Sequence, residues 1–167
     1  IAALQQPIFL SASRLSSALF RDEPSIEVMN LIGLDANALG NHEFDKGRDE
    51  LERQVKGGCA TVAADSPLAS CAGPDRTYRG ARFAFLAANV LDGAGRPIHP
   101  PYLVRQYGPV KVAVIGAATR TTPTIVSPDG VAGLRFEDEA TAVNRTVGEL
   151  RAQGIEVEVV NGITAGL

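Results

Sequence analysis

Apolar residues fall into two patterns along this chain, short continuous runs and stretches with helical spacing. Residues 8–12 form an apolar run after Pro7 and read as a buried strand. Residues 25–31 read as a helix: Ser25 can cap its first turn, Glu27 suits its positive end, and Gly33 stands where a helix stops. Ile26, Met29 and Asn30 share one face of it, widened by Leu31 and Ile32. Residues 35–39 make a short strand, and the polar turn 40–45 follows. Residues 47–56 read as a second helix, polar on most faces and stopped by Gly57 and Gly58. Residues 59–80 show no period, hold both cysteines and read as a long loop. Residues 83–90 form another strand, and residues 102–117 read as strand, turn and strand around Gly108 and Pro109. The clearest helix is 139–153, with Ala140, Val143, Val147 and Leu150 at helical spacing and Gly154 beyond its end. Residues 155–160 read as a closing strand. Strands interleaved with amphipathic helices predict a layered α/β fold, with helices packed on sheet faces.

Composition narrows the class. With 45% hydrophobic and 21% charged residues in 167, the chain is an ordinary globular domain or part of one. A net charge of −3 argues against a nucleic-acid polymer as partner, since such binders carry a basic stripe. No apolar run approaches the roughly 18 residues of a membrane span. The chain starts at Ile1 with no basic segment before an apolar one, so its start does not read as a signal peptide. The chain is expected to be a piece of something longer.

The candidate chemistry lies in one segment, Gly40-Asn41-His42-Glu43-Phe44-Asp45, on a turn after a strand. Loops at strand ends are where rigid scaffolds present reactive groups. Asn41 offers a neutral carbonyl oxygen suited to a divalent ion. His42 can bind metal or move a proton near neutral pH. Asp45 is close enough in sequence to accept a hydrogen bond from the imidazole across a tight turn, and Gly40 lets the backbone turn sharply.

The longer string is more specific. Glu27 to Asn30, Ile32 to Ala36, then Gly40 to Asp45 closely resembles the 5′-nucleotidase branch of the calcineurin-like metallophosphoesterases. The resemblance continues through Leu86 to Val90, Pro100 to Tyr102, Val110 to Gly116, Thr122-Pro123 and Gly133-Leu134. It implies a layered metallophosphoesterase sandwich, incomplete here at both ends. Residues 1–167 would be a partial catalytic domain, without the family's C-terminal nucleotide-binding domain. It also implies a metal-dependent phosphohydrolase acting on nucleoside 5′-phosphates or related esters. A pair of divalent ions (Mn, Zn, Mg or Ca, which the sequence does not distinguish) would activate the attacking water. By matching position Asn41 is a metal ligand, His42 sits at the phosphate, and Asp45 orients His42. Glu43 and Phe44 take packing or structural roles. Substrate-binding residues are not identified.

The sequence departs from the family pattern in several places. The family's first strand carries Asp-x-His, which is absent here; that strand is expected before Ile1, leaving an unpaired sheet edge. The Gly-Asp that should end the second strand is missing, because residues 8–12 run directly into Ser13 and Arg14. Asp22 falls too far on to substitute for it. No metal-binding His follows residues 155–160. The chain alone is therefore expected to be inactive. Two other readings stand beside the enzyme: a truncated or decayed remnant, and an unrelated α/β binding module in which Asn41 and His42 share no cleft.

Cys59 and Cys71 lie in one loop. Related secreted enzymes often carry a cysteine pair here, so the resemblance implies a disulfide rather than two free thiols. It also implies a secreted, periplasmic or cell-wall location. His99, among prolines, reads as an exposed loop residue. Arg120 reads as a solvated strand-end residue, and residues 137–139 as a solvated face opening the last helix.

Overall fold

Alternating residues of the hairpin 102–116 build the wall of the larger sheet. β5 (Tyr102–Tyr107) pairs antiparallel with β6 (Val110–Gly116), Tyr102 opposite Ile115 and Tyr107 opposite Val110. The computed structural model describes residues 2–4, 15–61, 63, 66, 69–157 and 160–161. Within them β1 (Ala2–Leu4) lies parallel to β6 on one side and to β8 (Val160–Asn161) on the other, giving the order β5-β6-β1-β8. The edge expected from a missing first strand is thus filled by Ala2–Leu4. A second, parallel pair joins β2 (Ala36–Ala38) to β3 (Ala84–Leu86), and a third, antiparallel pair joins β4 (Val90–Leu91) to β7 (Arg135–Phe136). This is the layered α/β class read from the sequence. The strand expected at residues 8–12, and the junction at Ser13 and Arg14, lie outside the described residues.

Among the described residues four α-helices accompany the strands: α1 (Leu15–Leu19), α2 (Glu23–Ile32), α3 (Arg48–Lys56) and α4 (Glu139–Ala152). α2 begins earlier than its apolar spacing predicted, because Pro24 sits in its first turn, where proline's missing N–H costs nothing. Ser25 is therefore inside the helix, its hydroxyl bonded to that of Ser17 at 2.5 Å. Only Ile26 is buried on α2's apolar face with Met29 half-buried; Leu31 and Ile32 are exposed. The buried face of α4 is Ala142, Thr146, Val147 and Leu150, rotated from the predicted one, so Ala140 is in solvent. Thr146 tolerates burial by donating its hydroxyl to Ala142 O. That face packs on Ala113 and Ile115 of β6 and on Ala88.

The predicted strand 83–90 divides between two sheets. Asn89, fully buried, is the cause. Its side-chain amide donates to Ala118 O (2.6 Å) and Glu137 O (3.0 Å) and accepts from Ala118 N–H (2.8 Å). These bonds take the chain out of the β3 ladder and start β4. Residues 155–157 are not a strand; Ile155 and Val157 pack beside α4, and among the described residues of this segment Val160–Asn161 pairs. A second cluster gathers Ile26, Leu39, Phe44, Leu51, Phe83 and Phe85 beneath the polar turn. Gly116, at the end of β6, lies flush against the Leu86 backbone, where a Cβ would meet Leu86 O at 2.6 Å. The two sheets approach there only because that residue has no side chain.

Candidate active site

β2 delivers the chain to the turn with Leu39 fully buried, its N–H donating to Leu86 O at 3.0 Å. The backbone then closes a short 3-10 helix, His42–Phe44, and a turn ending at Gly47 leads to α3. Phe44 is fully buried and meets the Phe136 ring edge-on at 5.3 Å between centroids. The turn is therefore anchored by apolar residues at both ends. From the far side Gly130 presses against the Phe44 carbonyl, where a Cβ would clash with backbone. Segment Pro128–Val131 thus forms its floor.

Asn41, His42 and Asp45 all lie on this turn, and the structure brings the side chains of His42 and Asp45 together. His42 Nδ1 lies 2.8 Å from Asp45 Oδ2, with side chains 40% and 47% exposed. An ionised carboxylate only accepts, so Nδ1 carries the proton and neutral His42 leaves Nε2 as its acceptor nitrogen. Asp45 N–H also donates to His42 O at 3.2 Å, and Phe44 N–H to Asn41 O at 3.1 Å. Glu43 points inward, 5% exposed, and its Oε2 accepts from Gly40 N–H at 2.7 Å. Among the described residues, no group of three or more His, Cys, Asp or Glu side chains could hold a metal ion. Asn41 contributes one neutral oxygen donor. The described residues do not by themselves fit a pair of dications.

Asp22, set aside in the sequence reading, lies close by. A cavity of about 100 Å³ is lined by Ala18, Asp22, His42, Asp45, Lys46 and Glu50 among others. Asp22 is buried, with φ of 64°, and its Oδ2 is 3.4 Å from Lys46 Nζ. Burial pushes its carboxyl above the usual range, against the lowering effect of Lys46.

Periodicity also missed the ionic cluster between α2, α3 and the cysteine loop. Glu23 accepts from Arg53 (2.7 Å), from the Ser70 hydroxyl (2.6 Å) and from Cys71 N–H (2.8 Å). Arg53 also binds Glu50 through two nitrogens at 3.0 and 2.9 Å, donates to Gly58 O, and lies over the Tyr78 ring. The polar character of residues 47–56 was its only signal: Glu50, Arg53 and Gln54 meet polar partners, while Arg48, Asp49 and Lys56 face water. The Cys59–Cys71 disulfide is present and closes the loop onto this cluster. Burial of Tyr78, the main cause, raises its phenol to well above its ordinary value.

His99 corrects another expectation. Its side chain is 8% exposed, with Nε2 at 3.5 Å from Glu52 Oε1 but without a hydrogen bond at that nitrogen. Burial lowers its pKa, partly opposed by Glu52. Phe85 and the proline-rich turn cover it. Arg120 stays largely exposed as predicted. Glu137 is not solvated: it pairs with Arg145 at 2.7 Å and Arg135 at 3.1 Å.

No protein-family model matches the chain. It is 38% identical over 145 residues to endonuclease YhcR of Bacillus subtilis, covering 86% of this chain and 11% of that protein. It is 32% identical over 130 residues to a 5′-nucleotidase of Vibrio cholerae, covering 77% of this chain and 19% of that protein. Among solved structures, the calcineurin-like phosphoesterase YfkN from Bacillus subtilis superposes with a TM-score of 0.59 at 27% identity, over 83% of this chain and 37% of that one. Motif, layered fold and relatives agree, and the chain belongs to the 5′-nucleotidase branch of the calcineurin-like metallophosphoesterases, spanning a fraction of its relatives' length.

Proposed function

We propose that this chain is part of a metal-dependent phosphohydrolase of the 5′-nucleotidase type, with nucleoside 5′-phosphates or related esters as substrates. The observation that carries the reading is the 2.8 Å bond between His42 Nδ1 and Asp45 Oδ2 on the turn after β2. It fixes the imidazole plane and tautomer and leaves Nε2 to face a substrate. When the ring takes up a second proton at Nε2, the Asp45 carboxylate offsets the positive charge; that proton then passes to the leaving ester oxygen and the ring returns to its neutral Nδ1–H form. Phosphoryl transfer needs mostly positioning and charge stabilisation, so one fixed imidazole is a substantial part of the apparatus. When bound, divalent ions would supply the activated water. Asn41 is the described residue that would bind one. The Cys59–Cys71 disulfide supports a location outside the reducing cytosol.

The test measures phosphate release from a nucleoside 5′-monophosphate with added Mn²⁺, by this chain and by the uninterrupted gene product. The chain alone is expected to be silent and the longer protein active. His42→Asn in the longer protein should lower kcat by about 100-fold or more, the usual worth of a positioned acid. An inactive longer protein refutes the enzyme reading and leaves a remnant. Full activity in His42→Asn refutes the role of His42.

A further inference from the structure

We infer that Glu43 is a positioning residue for Asn41 and His42, acting through the Gly40 amide; this rests on the roles just proposed for those two residues. β2 ends at Ala38, and the last backbone bond to β3 is Leu39 N–H to Leu86 O. The next donor, Gly40 N–H, lies at the point where the chain leaves the sheet and must aim the turn. Its acceptor is not backbone but Glu43 Oε2, at 2.7 Å in a buried setting. The side chain thus reaches back three residues to a backbone N–H, as the acid of a helix capping box does. Burying a carboxylate is costly unless hydrogen bonds compensate it, and bonds from backbone N–H to an ionised acceptor are among the stronger ones.

The consequence is geometric. Glu43 closes a ring through Gly40, Asn41 and His42. Asp45 closes a second one through His42 from the solvent side. Asn41 lies inside the first ring, so its direction follows the peptide that Glu43 holds. His42 is shared by both rings. A residue that merely filled the core could be replaced by any side chain of its size. A residue that holds an amide must keep an acceptor at that distance.

The experiment uses ¹⁵N-labelled wild-type chain, Glu43→Gln and Glu43→Asp. Two readouts are followed: hydrogen exchange of the Gly40 amide, and the His42 ring nitrogen shifts that report its tautomer. Glutamine keeps an acceptor at the same reach, and its exchange is expected to stay close to wild type with the Nδ1–H tautomer retained. Aspartate keeps the charge but is one methylene short. Its Gly40 amide should exchange at least about tenfold faster, the value of a lost charged hydrogen bond. The His42 ring should then show a mixture of tautomers, while the Leu51 amide in α3 keeps its protection. The inference is overturned by a protected Gly40 in Glu43→Asp, by equal loss of protection in Glu43→Gln, or by an unmoved His42 tautomer when Gly40 is released. Should Glu43→Asp not fold, the wild type still decides, because free-peptide exchange at Gly40 overturns the inference and slow exchange there that persists in Glu43→Gln supports it. No metal or phosphate ester enters these readouts, so the phosphohydrolase reading can fail while this one stands, and the reverse.

Discussion

Opening the Cys59–Cys71 bridge should weaken this chain substantially while leaving its polar turn untouched. The two cysteines are 12 residues apart in sequence. Closing a loop of that size removes entropy from the unfolded chain worth about 3 kcal/mol at room temperature. That is a large share of the roughly 5–15 kcal/mol that typically separates folded from unfolded states. The loop has no regular element of its own among the described residues. Its native attachment runs through Cys71 N–H and the Ser70 hydroxyl to Glu23, and these bonds survive reduction if the loop stays docked. The loss should therefore fall mainly on the unfolded state. The assay is urea unfolding by circular dichroism of the wild type, oxidised and reduced, and of the Cys59→Ser, Cys71→Ala double variant. The midpoint should fall by an amount equal to about 3 kcal/mol divided by the slope, with reduced and double-variant chains agreeing. A shift worth less than about 1 kcal/mol would show that the unfolded chain gains nothing from opening the loop, and the entropic argument would be wrong.

Arg53→Met should cost about 3 kcal/mol in the same assay, because it takes the shared cation from the buried carboxylates of Glu23 and Glu50 and leaves them only the Ser70 and Cys71 donors and Arg21; a near-neutral result would mean that they protonate or find water. Asp22 has a folded pKa raised above its ordinary 3.8, so the folded state holds its proton more tightly and stability falls as pH rises from about that value through the raised pKa. Asp22→Asn, which tolerates the left-handed backbone, should then be more stable than wild type at pH 7 and close to it near pH 3; a variant no better at pH 7 refutes the burial argument. His99 has a folded pKa below 6.5, so stability falls as pH drops from 6.5 through the lowered value. His99→Leu should flatten that slope in thermal melts at stepped pH, and an unchanged slope would locate the titration elsewhere.

The polar turn was legible because its chemistry is local. His42, Asp45, Glu43 and Gly40 interact across three residues, and sequence spacing reports such contacts directly. The hairpin and α4 were legible because one face of each is apolar and the period survives. The reading failed where polar groups do the packing. Asn89 broke a strand that its neighbours' hydrophobicity had extended, since its amide satisfies backbone groups of two other segments. His99 looked solvated among prolines, yet the turn folds it against Phe85 and Glu52. Arg53, Glu50 and Glu23 carry no periodic signature, because most of their partners lie on other segments far along the chain. A chance motif on an unrelated module is excluded by relatives that share most of the chain rather than the turn alone.

The same distinction explains why one half of the candidate chemistry is built here and the other is not. A fixed imidazole needs an acceptor across one turn, a floor beneath it and a brace behind. Asp45, Phe44 with Gly130, and Glu43 supply all of these within a short span of chain and one neighbouring loop. A site for dications needs several anionic or imidazole donors converging from different strands, so it depends on topology and on distant residues. Asn41 stands at the junction of the two: its backbone belongs to the locally built turn, while its amide oxygen has use only when other donors meet it. The turn therefore keeps its geometry independently of metal binding. It follows that the His42 tautomer should be the same with and without Mn²⁺ in this chain.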